Sequence, residues 1–176
     1  MAIAEAIEVM KPDFTKLSDS IWDFAELKFE ETRSSEVLAR ALEDNGFSVR
    51  RGVAGMDTAF VGDFGAGKPV IAFLGEFDAL AGMSQVANVA AHEAMIDGAT
   101  GHGCGHNLLG VGSLMAAIAL AKYMKANNLP GTVRLSTVSA QPITLPSSNI
   151  TIASRVLPLM RRTPPISGDR RSMRSS

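Results

Sequence analysis

The sequence is poor in the features that mark several large classes of protein. It holds one cysteine, Cys104, so no internal disulfide can form, and a reducing compartment is the expectation. Net charge is −1 and the pI is near 6.3, so no general basic field exists to collect nucleic acid or anionic lipid. The longest uncharged apolar stretch, Leu108 to Ala121, is fourteen residues and is interrupted by Gly110, Gly112 and Ser113. A bilayer crossing takes about 18 to 20 residues, so this stretch reads as a buried helix. Glu5 and Glu8 stand where a secretory leader would carry positive charge, and the expected location is cytoplasmic. Neither a nucleic acid nor a membrane is an expected partner.

What is present suits one medium domain with a proper core: 46% of the 176 residues are apolar and 20% charged. The composition is uneven along the chain. From Ser136 to Ser176 there are nine serines, five of the eight prolines, six arginines and one aspartate, giving +5, while residues 1–135 carry −6. Pro142, Pro146, Pro158, Pro164 and Pro165 cut the apolar pieces of this tail too short for a helix or a central strand. The expected organisation is therefore a folded part, residues 1–135, and a Ser/Pro/Arg-rich tail, 136–176, without regular structure.

Within the first part, apolar positions predict a helix over 2–28 with a kink or restart at Pro12, and a second helix capped by Thr32 or Ser34, ending at Asn45-Gly46. Strands are predicted at 47–50, 58–61 and 69–74, the last a continuous apolar run expected to be buried on both faces. Gly62 to Lys68 resembles the start of a phosphate loop, but Pro69 stands where a Ser or Thr would hold magnesium, so it reads as a turn between strands. A long irregular segment, 78–106, precedes the apolar helix of about 108–126. The last strand, 132–135, is expected to be an unpaired edge. This order describes an α/β sheet with helices packed on it, and in such sheets ligands gather beyond the carboxyl ends of the strands, here near Glu76 to Asp78. Trp22 and Phe24 read as core.

All three histidines lie between 92 and 106, and the cysteine stands among them in Gly101-His102-Gly103-Cys104-Gly105-His106-Asn107. Glycines let a backbone pass close to an ion, and thiolate and imidazole are good ligands for zinc-like metals. Cys104 and His106 supply two ligands, too few for a closed site, so Asp78 and Glu76 are the nearest contributors. A buried cysteine beside a polar loop histidine, and a thiol nucleophile at Cys104, remain open alternatives.

Gly75-Glu76-Phe77-Asp78-Ala79-Leu80 followed by Gly101-His102-Gly103-Cys104-Gly105-His106-Asn107 resembles the M20 metallopeptidase and amidohydrolase family. Trp22-Asp23, Phe29-Glu30-Glu31 and Gly131-Thr132-Val133-Arg134 fit the same resemblance, which covers about residues 15–135. It implies a three-layer α/β zinc-peptidase-like catalytic domain, here truncated. The implied activity is metal-dependent hydrolysis of an amide bond in an acyl- or aminobenzoyl-amino acid, the small-molecule substrate, with zinc or manganese as the divalent metal. By resemblance Cys104 and His106 would be metal ligands and Asp78 the catalytic-site aspartate that supports them. Glu76 occupies a position that is a histidine ligand in other branches. The family then continues with a glutamate pair, one of them the general base, and with further histidine ligands. Here no glutamate follows Glu93 and no histidine follows His106. The break after Leu135 leads to the expectation of a truncated or frame-shifted copy, either incomplete as an enzyme or a non-catalytic fragment associating with an intact hydrolase subunit.

Overall fold

The computed structural model describes residues 2–137 and the backbone of residues 150–152; apart from those three positions, the tail expected to lack regular structure lies outside the described residues from 138 onward. Helix α1 runs Ile3–Phe24 without interruption. Ala6, Met10, Phe14, Ser18 and Ile21 repeat at helical spacing and are buried. The helix does not restart at Pro12, which lies on the exposed side, where water can satisfy the carbonyl left without a donor. Helix α2 spans Thr32–Asp44 and buries Leu38, Ala39 and Leu42.

Neither Thr32 nor Ser34 caps α2 as predicted. The cap is Glu26, from the preceding loop, whose carboxylate accepts from the Arg33 N–H (3.0 Å), the Ser34 N–H (2.8 Å) and the Ser34 hydroxyl (2.7 Å). These are donors that a helix start leaves unpaired. Burial opposes ionisation of Glu26, but the bonds from Ser34, Arg33 and Thr32 outweigh it and hold the carboxyl below its usual range.

The sheet contains β1 (Ser48–Arg51), β2 (Phe60–Ala66), β3 (Val70–Gly75), β4 (Gly131–Thr137) and β5 (Ile150–Ile152), in the order β1-β2-β4-β3-β5. β4 is thus a central strand, not the expected edge. It pairs antiparallel with β2 and parallel with β3, with Phe73 level with Leu135. It also runs to Thr137, two residues past the composition break, and β5 places three residues of the expected tail beside β3. β2 begins at Phe60 and continues through Gly62 to Ala66, so most of the predicted turn is strand.

Helix α3, His106–Ala126, is the one described helix long and apolar enough to cross a membrane. Half of its apolar window is buried, between α1 and the sheet, and its composition follows from that position. Leu114, Ile118, Val133 and Leu135 are fully buried with Ile21, Leu38, Leu42 and Phe60. Each such side chain contributes about 1.5–3 kcal/mol by leaving water.

Packing identifies the covered face. A Cβ at Gly62 would meet Leu42 of α2, and one at Gly75 would meet Gly110 of α3. Gly62 pairs with Leu135 and Gly75 with Thr137, so both helices cover the same side. The opposite face carries Arg134, bonded twice to Asp63 at 2.6 and 2.9 Å, and Leu74, which is 48% exposed. β3 is therefore not buried on both faces as predicted, because the described helices form one layer of the expected two.

Candidate functional site

Topology brings the polar groups together. A helix that returns the chain to a parallel neighbour strand begins where the previous strand ended. His106, the first residue of α3, consequently lies beside Glu76 and Asp78, which follow β3. The approach is close: a Cβ at Gly110 would stand 2.8 Å from the Glu76 carbonyl oxygen, so only glycine lets α3 settle there.

His106 Nδ1 is 2.8 Å from Asp78 Oδ1, and His106 Nε2 is 3.2 Å from Glu76 Oε2. A carboxylate only accepts, so Nδ1 donates to Asp78, which fixes the imidazole's orientation. Nε2 then faces the Glu76 oxygen, and a proton or a cation between them would relieve the repulsion of two lone pairs. The side chains of His106 and Asp78 are mostly buried, and that of Glu76 is 39% exposed, so the group opens to solvent on the Glu76 side.

Three of the four predicted site residues thus stand together. Cys104 does not join them: it is an exposed free thiol in the turn before α3. Among the described residues no group of three or more His, Cys, Asp or Glu side chains is gathered as a metal cluster. The contacts around His106 agree with that, since its two nitrogens face two different carboxylates rather than all converging on one point. Past His106 the whole sequence offers only Asp169 as a further side chain of these types. Imidazole and carboxylate suit a divalent ion in kind, but in number they fall short of a closed centre.

His102 is buried, and its Nε2 is 2.9 Å from the Ile21 carbonyl oxygen, so Nε2 carries the proton. Burial pushes its pKa down, joined by the nearby His106 and opposed by the Ile21 bond and Asp78. Trp22 stacks on it, ring centroids 6.2 Å apart. Trp22 and Phe24 are not core residues as predicted. Trp22 is half-buried at the edge of a cavity, and the Arg33 guanidinium lies 3.9 Å over the Phe24 ring.

The loop between β3 and α3 is held by polar ties the sequence does not advertise. Ala79 N–H donates to the Glu26 carbonyl (2.7 Å), Leu80 and Gly101 exchange backbone bonds, and the Thr100 hydroxyl donates to the Ala25 carbonyl (2.6 Å). Glu26 and Thr100 were invisible as site-supporting residues because their partners are distant in the chain. For Glu26 the sequence held no usable signal, because Thr32 and Ser34 stood nearer the helix start as cap candidates.

Over 132 residues the N-terminal part of the chain is 51% identical to a subunit of the p-aminobenzoyl-glutamate hydrolase of Escherichia coli K12. The N-terminal three quarters of the chain resembles that subunit closely. That match takes in 75% of the chain and 27% of the relative, so the chain spans about a quarter of the length of the curated relative it matches. A dinuclear metal-binding peptidase of the M20 family from Bacillus subtilis superposes with a TM-score of 0.56 at 26% identity, covering 74% of this chain and 36% of that one. An aminobenzoyl-glutamate utilization protein from Klebsiella pneumoniae superposes at 0.52 with 17% identity, covering 80% and 40%, and shows the fold alone. No family model matches. These likenesses fit the α/β peptidase-like architecture, with the Glu76–His106–Asp78 group at its strand end.

Proposed function

We propose that the chain is the first part of a metal-dependent amidohydrolase acting on the amide bond of an acyl- or aminobenzoyl-amino acid, located in the cytoplasm. His106 would ligate a divalent ion, zinc or manganese, Cys104 would join it only by turning inward from its exposed place, and Asp78 is the aspartate that orients His106. The observation that carries this reading is His106 held between Asp78 and Glu76 at the end of β3, within sequence half identical to a p-aminobenzoyl-glutamate hydrolase subunit. A carboxylate behind a ligating histidine fixes its tautomer and raises its basicity, the work that Asp78 does here.

Amide hydrolysis needs a general base beside the attacking water, and no glutamate follows Glu93 in the sequence. With the ligand set also incomplete, the chain alone is expected to be inactive. A second reading is favoured by the sheet face that carries no described helix: a non-catalytic fragment that associates with an intact hydrolase subunit.

The test is an assay of p-aminobenzoyl-glutamate cleavage by the purified chain with added manganese or zinc, alone and mixed with an intact hydrolase. No turnover alone is expected. Metal-dependent turnover by the chain alone would contradict its incompleteness, and co-elution with the intact hydrolase would favour the second reading. Asp78→Asn is expected to weaken metal binding by about 10- to 100-fold, read by calorimetry.

A further inference from the structure

We propose that His102 is the positioning residue of the strand-end group: bonded to α1 through Nε2, it sets the turn 102–105 so that the His106 imidazole meets Asp78 and Glu76. This rests on the metal-site reading of that group, in which an aligned His106 is the ligand.

The segment that carries Cys104 and His106 has little packing of its own, since Gly103 and Cys104 are exposed and Gly105 is half-buried. Two buried side chains on either side attach it to α1. His102 Nε2 donates to the Ile21 carbonyl oxygen at 2.9 Å, and Asn107 Nδ2 donates to Ser18 Oγ at 3.1 Å. Ser18 and Ile21 are both buried and share one face of α1, so the two ties end on one rigid surface. Between them the Gly105 N–H donates to the His102 carbonyl at 3.1 Å, which closes the turn, and α3 opens at His106. The orientation of the turn therefore passes from α1 through His102 to the first residue of α3.

Stability alone does not select histidine at this position. The Ile21 carbonyl also accepts the Ala25 N–H at 3.1 Å, so it is satisfied without the imidazole. His102 is 5% exposed and its Nδ1 has no hydrogen-bond partner among the described residues, an orphaned acceptor that a phenylalanine would not bring. Asn107 Oδ1 is orphaned in the same way. A phenylalanine would also keep an aromatic ring against Trp22. What histidine adds is a directional N–H at the Nε2 position, and a buried ring left half-satisfied for that bond points to a role beyond packing.

The test reads the full chain without metal, in a proton–nitrogen NMR spectrum tuned to imidazole rings. His106 Nδ1–H, held by Asp78 and mostly buried, is expected as a protected signal, and ring correlations separate it from the Nε2–H of His102. In His102→Phe the His106 signal is expected to vanish or to exchange with water at least about tenfold faster, while the melting temperature moves by less than about 5 °C. His102→Gln, whose amide nitrogen reaches the Nε2 position, is expected to restore the signal. An unchanged His106 signal in His102→Phe would overturn the proposal, as would its failure to return in His102→Gln or its absence from the parent chain. Unfolding of both variants would overturn it as well, because His102 would then serve the fold rather than the site. If the parent chain shows the expected pattern but binds no metal, the hydrolase reading falls and the role of His102 stands. Metal binding with an unchanged His106 signal in His102→Phe does the reverse.

Discussion

The helix-covered face of the sheet and the loop beyond its strand ends are built on different physics. The covered face buries Ile118 and Leu114 of α3 together with Val133 and Leu135 of β4, and its energy is spread over many apolar contacts. The loop from Glu76 to Gly105 exposes Met83, Met95 and Ile96 and is fastened by single hydrogen bonds to the α1–α2 connection. Fold and site are therefore separable: the core can survive the loss of the groups that would do chemistry.

That separation can be broken or sharpened by substitution. The largest effect is expected in the core, where Leu114→Ala or Leu135→Ala should cost about 2–5 kcal/mol in urea unfolding. A loss below about 1 kcal/mol would mean that the covered face is loosely packed. Next comes the joint between the two regions. Glu26→Ala removes the α2 cap and should cost about 1–2 kcal/mol. Because the folded carboxyl titrates below its ordinary range, its stabilisation is present above that range and fades as pH falls through the folded value. The variant should accordingly lose less stability on acidification than the parent chain, read by unfolding at several acidic pH values.

Thr100→Val removes one tie of the loop and should cost about 0.5–1.5 kcal/mol, with faster proteolysis between residues 84 and 101 as the sharper sign. Glu76→Gln is expected to change stability by no more than about 0.5 kcal/mol, since the carboxylate is 39% exposed and serves no packing role. A large loss there would join the two regions energetically and end the comparison.

The sequence announces the local parts of this structure and hides the long-range ones. The ends of α2 and α3 lie within a few residues of their predicted places because helical spacing and Asn45-Gly46 are local signals. Glu76, Asp78 and His106 could be expected together from a strand end and a motif that opens a helix. The position of β4 could not, because its pairing with both β2 and β3 depends on crossing order rather than on anything in 131–137. Trp22 misled for a related reason. Its apolar ring at helical spacing signals a core position, but the helix ends two residues later and the loop that meets it leaves a cavity.

At the strand end of this fold, the donors among the described residues do not amount to a metal pair. The direct measurement is to equilibrate the purified chain with manganese or zinc, remove the excess, and count retained ions per chain by elemental analysis. Fewer than two per chain is the predicted result. Two tightly held ions per chain would contradict it and restore a complete centre to this chain.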